Sequence, residues 1–152
     1  MDGMPRGTHD FALAALRVVV GAVFIAHGCQ KLFGWFHGPG ITAQGKFFES
    51  AACVAKGVCL SPGAPLAALS GFGELVGGAL LVLGLLMPLA AFMLLADQLV
   101  AMIFFSGPRV GYFNPSSGLE MNLTLVAAVL IVALIGTGRF AAGAAIKRGG
   151  GS

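Results

Sequence analysis

A few side chains able to move a proton or grip a polar ligand stand inside otherwise apolar stretches. They are Arg17, His27, Glu74, Asp97, Gln98 and Glu120, with Asn122 close to the last and with Gln30 and Lys31 ending the first stretch. Such groups are costly in lipid, so they face other protein, pair with one another and often mark functional sites. At 100° per residue, Arg17, Gly21, Phe24, Gly28 and Lys31 point within about 40° of one direction. Ser70, Gly71, Glu74, Gly78 and Leu81 form a similar stripe. Gly73 and Gly77 make a small-xxx-small pair that lets a neighbouring helix approach Glu74 closely. The expected pairing is Arg17 with Glu74, with Asp97 beside them and with Gln98 and Glu120 in the same buried polar network. Such a network either locks helix register or builds a ligand or proton site. Three carboxyls against one arginine leave two acids protonated or bound to something, which favours the site.

A second set suits a flat ring with polar ends. His27, Lys31 and Glu74 stand near Trp35, Phe36, Phe47 and Phe48 in the chain or across the expected helix pair. A quinone needs an apolar slot for its ring, a hydrogen-bonding group at each carbonyl and a carboxylate to handle protons. Haem is not expected, because bis-histidine ligation needs facing histidines and only His27 lies in an apolar stretch. Cys53 and Cys59 are too widely spaced for a zinc or iron–sulfur framework, so no metal is expected. They form a disulfide if their segment faces an oxidising compartment, and pack as buried thiols otherwise. Walker, dinucleotide and nucleophile-elbow motifs are absent. No intrinsic cofactor is therefore expected beyond a bound quinone.

The elements that must position these groups follow from composition. Of 152 residues, 57% are hydrophobic and only 10% are Asp, Glu, Lys or Arg. A soluble domain carries about 25% charged residues, and the mean hydropathy here is +0.92, so a soluble enzyme is excluded. The net charge of +3 comes from scattered basic residues, with no clustered patch for nucleic acid. About 20 residues cross a hydrocarbon core, and four stretches qualify: Phe11–Gln30, Ala64–Leu86, Leu89–Ser106 and Leu119–Ile135. The fold class is therefore all-α, an integral membrane four-helix bundle. A long interfacial connection joins the first two helices and holds an amphipathic helix near Gln44 to Lys56. A tight turn at Met87-Pro88 makes a hairpin of the second and third, and a turn-rich loop from Gly107 to Gly118 precedes the fourth. Residues 1–10 read as an N-terminal tail, 11–140 as the transmembrane domain and 141–152 as a C-terminal tail ending in a linker-like Gly149–Ser152 run. Basic residues are nearly balanced between the two sides; those close to the span ends favour both termini in the cytoplasm.

The stretch Ala26-His27-Gly28-Cys29-Gln30-Lys31-Leu32-Phe33-Gly34-Trp35-Phe36 resembles the "HG-x-x-KLFGWF" end of the first helix in the DoxX family. Gly38-Pro39-Gly40 with Phe47-Phe48-Glu49 is similar to the family's next segment. Glu74-Leu75-Val76-Gly77-Gly78 through Gly84-Leu85-Leu86 resembles its "ELxGGxxLxxGLL" second helix, and Gly136-Thr137-Gly138-Arg139-Phe140 its C-terminal ending. The stretch Ala51–Leu60 departs from the pattern, where a shorter link leads to the second helix. The resemblance implies a multi-pass protein of the bacterial inner membrane with four helices. Some members are named as subunits of thiosulfate:quinone oxidoreductases or associate with redox and oxidative-stress proteins. By position, His27, Lys31 and Glu74 carry the family's recurrent polar features.

Three readings follow. The favoured one is an accessory membrane subunit of a respiratory or quinone-linked redox complex, partnered by the bilayer and by other redox subunits. The others are a purely structural assembly subunit, and a small proton or solute pathway.

Overall fold

Long apolar runs satisfy their own backbone polar groups in lipid only as helices or closed barrels, and these runs lack the period-two alternation of barrel strands. The computed structural model, which describes residues 6–56, 59–105, 112–113, 119–136 and 138–143, is all-α. Its helices are α1 (Arg6–Phe33), α2 (Gly40–Lys56), α3 (Gly63–Leu83), α4 (Met87–Phe104) and α5 (Leu119–Ile135). Three of them, α1 from Gly7, α3 and α4, are long and apolar enough to cross a membrane. The apolar α5 is shorter, 17 residues or about 26 Å. The expected loop between α4 and α5 lies outside the described residues except Tyr112 and Phe113. The same holds for Arg109, Lys147, Arg148 and the Gly149–Ser152 run that entered the orientation and tail assignments.

The four apolar helices form a ring in which α3 packs on α1 and α4, and α5 packs on α4 and α1. Their inner faces share one core of Val20, Phe24, Leu81, Ala91, Leu94, Leu125, Val129 and Val132. The α3–α4 turn is set by two residues with positive φ. Gly84 ends α3 at φ 67 and Leu86 precedes α4 at φ 43, with Pro88 in the first turn of α4, where its missing N–H has no helical partner to lose.

The connection after α1 does more than lie at an interface. Its helix α2 docks on the start of α3, where Gly45 meets Gly63 and Ala64 so closely that a Cβ on either glycine would strike backbone. Glu49 Oε1 accepts the Gly63 N–H at 2.7 Å, which caps α3 with a negative charge at its positive end. Phe48 of α2 stacks on Phe105 at the end of α4, ring centroids 4.7 Å apart. Thus α2 roofs one end of the ring.

At the opposite end the chain folds back after α5. Asp10 Oδ1 accepts the Arg139 N–H at 3.3 Å, Ala141 is buried, and Gly143 lies against the Gly84 carbonyl. Residues expected in the two tails therefore pack onto the bundle.

Candidate functional site

The polar site is set by the register of α1 against α3. Gly21 faces Gly78 and Gly28 faces Gly71: a Cβ on Gly21 would lie 2.7 Å from Gly78 O, and one on Gly28 2.7 Å from Gly71 O. This antiparallel register puts Arg17 level with the α3–α4 turn and Lys31 level with Ser70. Side chains tilt toward the N-terminus of their own helix, so Lys31 and Glu74, offset along the pair, lean toward each other. Lys31 Nζ stands 2.9 Å from Glu74 Oε2 and 3.7 Å from Asp97 Oδ2, and donates to Ser70 Oγ at 2.8 Å. Ser70 Oγ donates in turn to Asp97 Oδ1 at 2.5 Å, and Gln98 Nε2 donates to Asp97 Oδ2 at 3.5 Å.

This corrects the expected Arg17–Glu74 pair. Arg17 is buried, but about 21 Å along α1 from Lys31 at 1.5 Å per residue. Its guanidinium lies against Gly84 at the C-terminal end of α3, and Nη2 donates to Phe140 O at 3.5 Å. A cation there complements the negative end of the helix dipole and ties the C-terminal segment to the bundle. The base that serves the acids is Lys31. The glycine pair flanking Glu74 is also reassigned: α1 seats on Gly71 and Gly78, whereas Gly77 receives Leu94 of α4 and Gly73 faces open space.

Gly73 opens onto a cavity of about 820 Å³. One wall is polar, with His27, Lys31, Ser70, Glu74, Asp97 and Gln98, and Glu120 and Asn122 come from α5. Apart from Gln44 of the α2 roof, the rest is apolar, including Phe47 and Phe48 of that roof, Leu66 and Leu69 of α3, and Phe92, Ala96 and Phe104 of α4. His27 precedes Lys31 by four residues and so shares its helix face. Glu74 Oε2 is charge-paired with Lys31 without the alignment of a hydrogen bond. Gln98 Oε1 and Glu120 Oε2, by contrast, are buried acceptors with no hydrogen-bond partner among the described residues. Lys31 lies among Ser70, Glu74 and Asp97, donating to the first and ion-paired with the other two, so it holds the acids in place. His27 and Gln98 Nε2 are then the groups suited to donate to a guest.

Trp35 and Phe36 lie elsewhere. Positive φ at Gly34, Phe36, His37 and Gly40 folds the segment after α1 into a tight turn, and Gly38 packs on Gln30 too closely for any side chain. The turn leaves Trp35 and Phe36 outward and exposed, where aromatic rings anchor a protein at a membrane–water boundary. They do not line the cavity. Phe47 and Phe48 provide its aromatic wall instead.

Cys53 and Cys59 are joined as a disulfide between the end of α2 and the approach to α3, and Cys29 is a buried free thiol. Among the described residues, no group of three or more His, Cys, Asp and Glu is placed to hold a metal ion. A quinone fits better. The volume falls in the range of small-molecule pockets, the polar lining includes the unpartnered acceptors Gln98 Oε1 and Glu120 Oε2 beside donors, and the rest is mostly apolar.

Glu49 went unnoticed as a determinant of this site. Its signal was a carboxylate on an amphipathic helix, one short link before a Pro-Gly helix start.

No curated protein and no solved structure gives a significant match. Residues 12–107, from the first turns of α1 to just beyond α4, match the DoxX family. That span contains the cavity's Lys31, Glu74 and Asp97, and the chain belongs to the DoxX family.

Proposed function

We propose that this chain is an accessory membrane subunit of a quinone-linked redox assembly, with the quinone headgroup held in the cavity beside Glu74, Asp97 and Gln98. The observation that carries this reading is a polar cluster, organised by Lys31, on one wall of an otherwise apolar cavity between apolar helices. A bound quinone supplies two-electron, two-proton redox chemistry, and a partner protein supplies the electrons. This chain's own part is to orient the ring and manage protons. His27 and Gln98 Nε2 donate to a quinone carbonyl, while the carboxylate of Glu74, paired with Lys31, and the unpartnered Oε2 of Glu120 accept from a quinol hydroxyl. All four apolar helices cross the bacterial inner membrane in this reading, and both termini lie in the cytoplasm.

The test is equilibrium binding of a benzoquinone with a decyl tail to the purified protein in lipid nanodiscs. Wild type binds it, Glu74→Gln and His27→Phe weaken binding about tenfold, a loss of 1.4 kcal/mol each, and Arg17→Gln leaves it unchanged. Absence of binding to the wild type, or equal loss in all three variants, contradicts the reading. A purely structural subunit, the second reading, rests on the same Lys31 cluster tying α1, α3 and α4 together. It predicts a folded protein that takes up no quinone.

A further inference from the structure

The cavity reaches the outer surface of the bundle between α3 and α4. Two of its lining residues, Leu69 and Phe92, are 70% and 71% exposed although both belong to helices apolar enough to span a membrane. Exposed apolar side chains on such helices face acyl chains. Gly77 packs on Leu94 with Met93 alongside, and this register puts Gly73 of α3 opposite Asp97 and Gln98 of α4, within half a turn of Ala96. These two small residues precede Glu74 and Asp97, so a gap at their level leads from lipid to the acids. A Cβ built on Gly73 meets nothing within 4 Å, so the space is free of other side chains. The second observation is inside: Gln98, 4% exposed and lining the cavity next to Asp97, holds its Oε1 with no hydrogen-bond partner among the described residues.

We propose that the gap between α3 and α4 at Gly73 and Ala96 is a lateral portal, through which a ligand dissolved in the bilayer enters with its headgroup toward Glu74 and Asp97 while its apolar tail stays in the gap against Leu69 and Phe92. This rests on the quinone reading above and adds the ligand's class: a long-tailed, membrane-resident quinone in place of a water-soluble one. The portal is the space beside Gly73, which is wide enough to take a small side chain and still pass a tail. Filling it obstructs the tail and leaves the headgroup site intact.

The experiment compares a decyl-tailed benzoquinone with a tail-less benzoquinone on wild type, Gly73→Ala, Gly73→Phe and Ala96→Phe, each in lipid nanodiscs. Folding is checked by helical circular dichroism and a monodisperse elution profile. Wild type and Gly73→Ala bind both ligands. Gly73→Phe weakens the tailed ligand about tenfold or more and changes the tail-less one less than about threefold. Ala96→Phe does the same from the other side and carries the test should Gly73→Phe not fold. Unchanged affinity for the tailed ligand in the folded variants overturns the portal, as does equal loss of both ligands. Failure of wild type to bind either ligand overturns the quinone reading itself, and the portal with it.

Discussion

At the scale of single residues, the outcome turns on which cation meets the acids. Helical spacing correctly grouped Arg17, Gly21, Phe24, Gly28 and Lys31 on the face that meets α3, and the same count grouped Ser70, Gly71, Glu74 and Gly78. It did not fix the sliding of one helix along the other. Because Arg17 stands fourteen residues before Lys31, an Arg17–Glu74 pair in the same geometry corresponds to a slip of two heptads, about 21 Å. That slip carries Gly21 and Gly28 away from both Gly71 and Gly78. The observed register matches both pairs, and this signal was available in the chain. Lys31 is therefore the central residue of the cluster. Lys31→Met removes the one cation from two carboxylates and lowers stability by about 3–5 kcal/mol, whereas adding Glu74→Gln and Asp97→Asn restores most of it. Chemical denaturation in mild detergent measures both. A single variant no less stable than the triple would show that the acids do not depend on Lys31.

At the scale of elements, close packing of α1 on α3 places this cluster, and glycines with different surroundings separate packing from function. A Cβ on Gly28 would lie 2.7 Å from both Gly71 O and Leu75 N, which are backbone atoms that cannot swing aside. Gly28→Ala pushes the helices apart and costs about 1–3 kcal/mol. Gly73→Ala meets no neighbour and raises stability by up to about 1 kcal/mol, because alanine loses less backbone entropy in a helix. Thermal unfolding in detergent should move in opposite directions for the two; a shift of the same sign and size would contradict the register. The amphipathic period made α2 visible in the sequence, but its docking was not. That docking depends on Gly45 meeting Gly63 and on Glu49 capping α3, contacts between elements that no local pattern encodes.

For the whole molecule, scarcity of charge was enough to assign a membrane protein, and its apolar stretches became helices. The cavity was not legible, because it arises where α2, α3, α4 and α5 fail to close on one another. Nor was the outward placement of Trp35 and Phe36, which follows from a turn with positive φ at Phe36 and His37. Orientation also belongs to this scale. Disulfides persist in oxidising compartments, and Cys53–Cys59 lies at the end of the bundle opposite Arg17, the α3–α4 turn and the fold-back after α5. A reporter that is active only in the cytoplasm, fused after Ser152, should be active; activity only in a periplasmic reporter would invert the assignment. Whether a quinone headgroup sits in the cavity organised by Lys31 is decided by labelling the protein in lipid nanodiscs with a photoactivatable quinone and mapping the modified peptides by mass spectrometry. Label between Leu66 and Phe105, suppressed by excess unlabelled quinone, is the predicted result; label confined to the Trp35–Phe36 turn, or none that quinone suppresses, would contradict it.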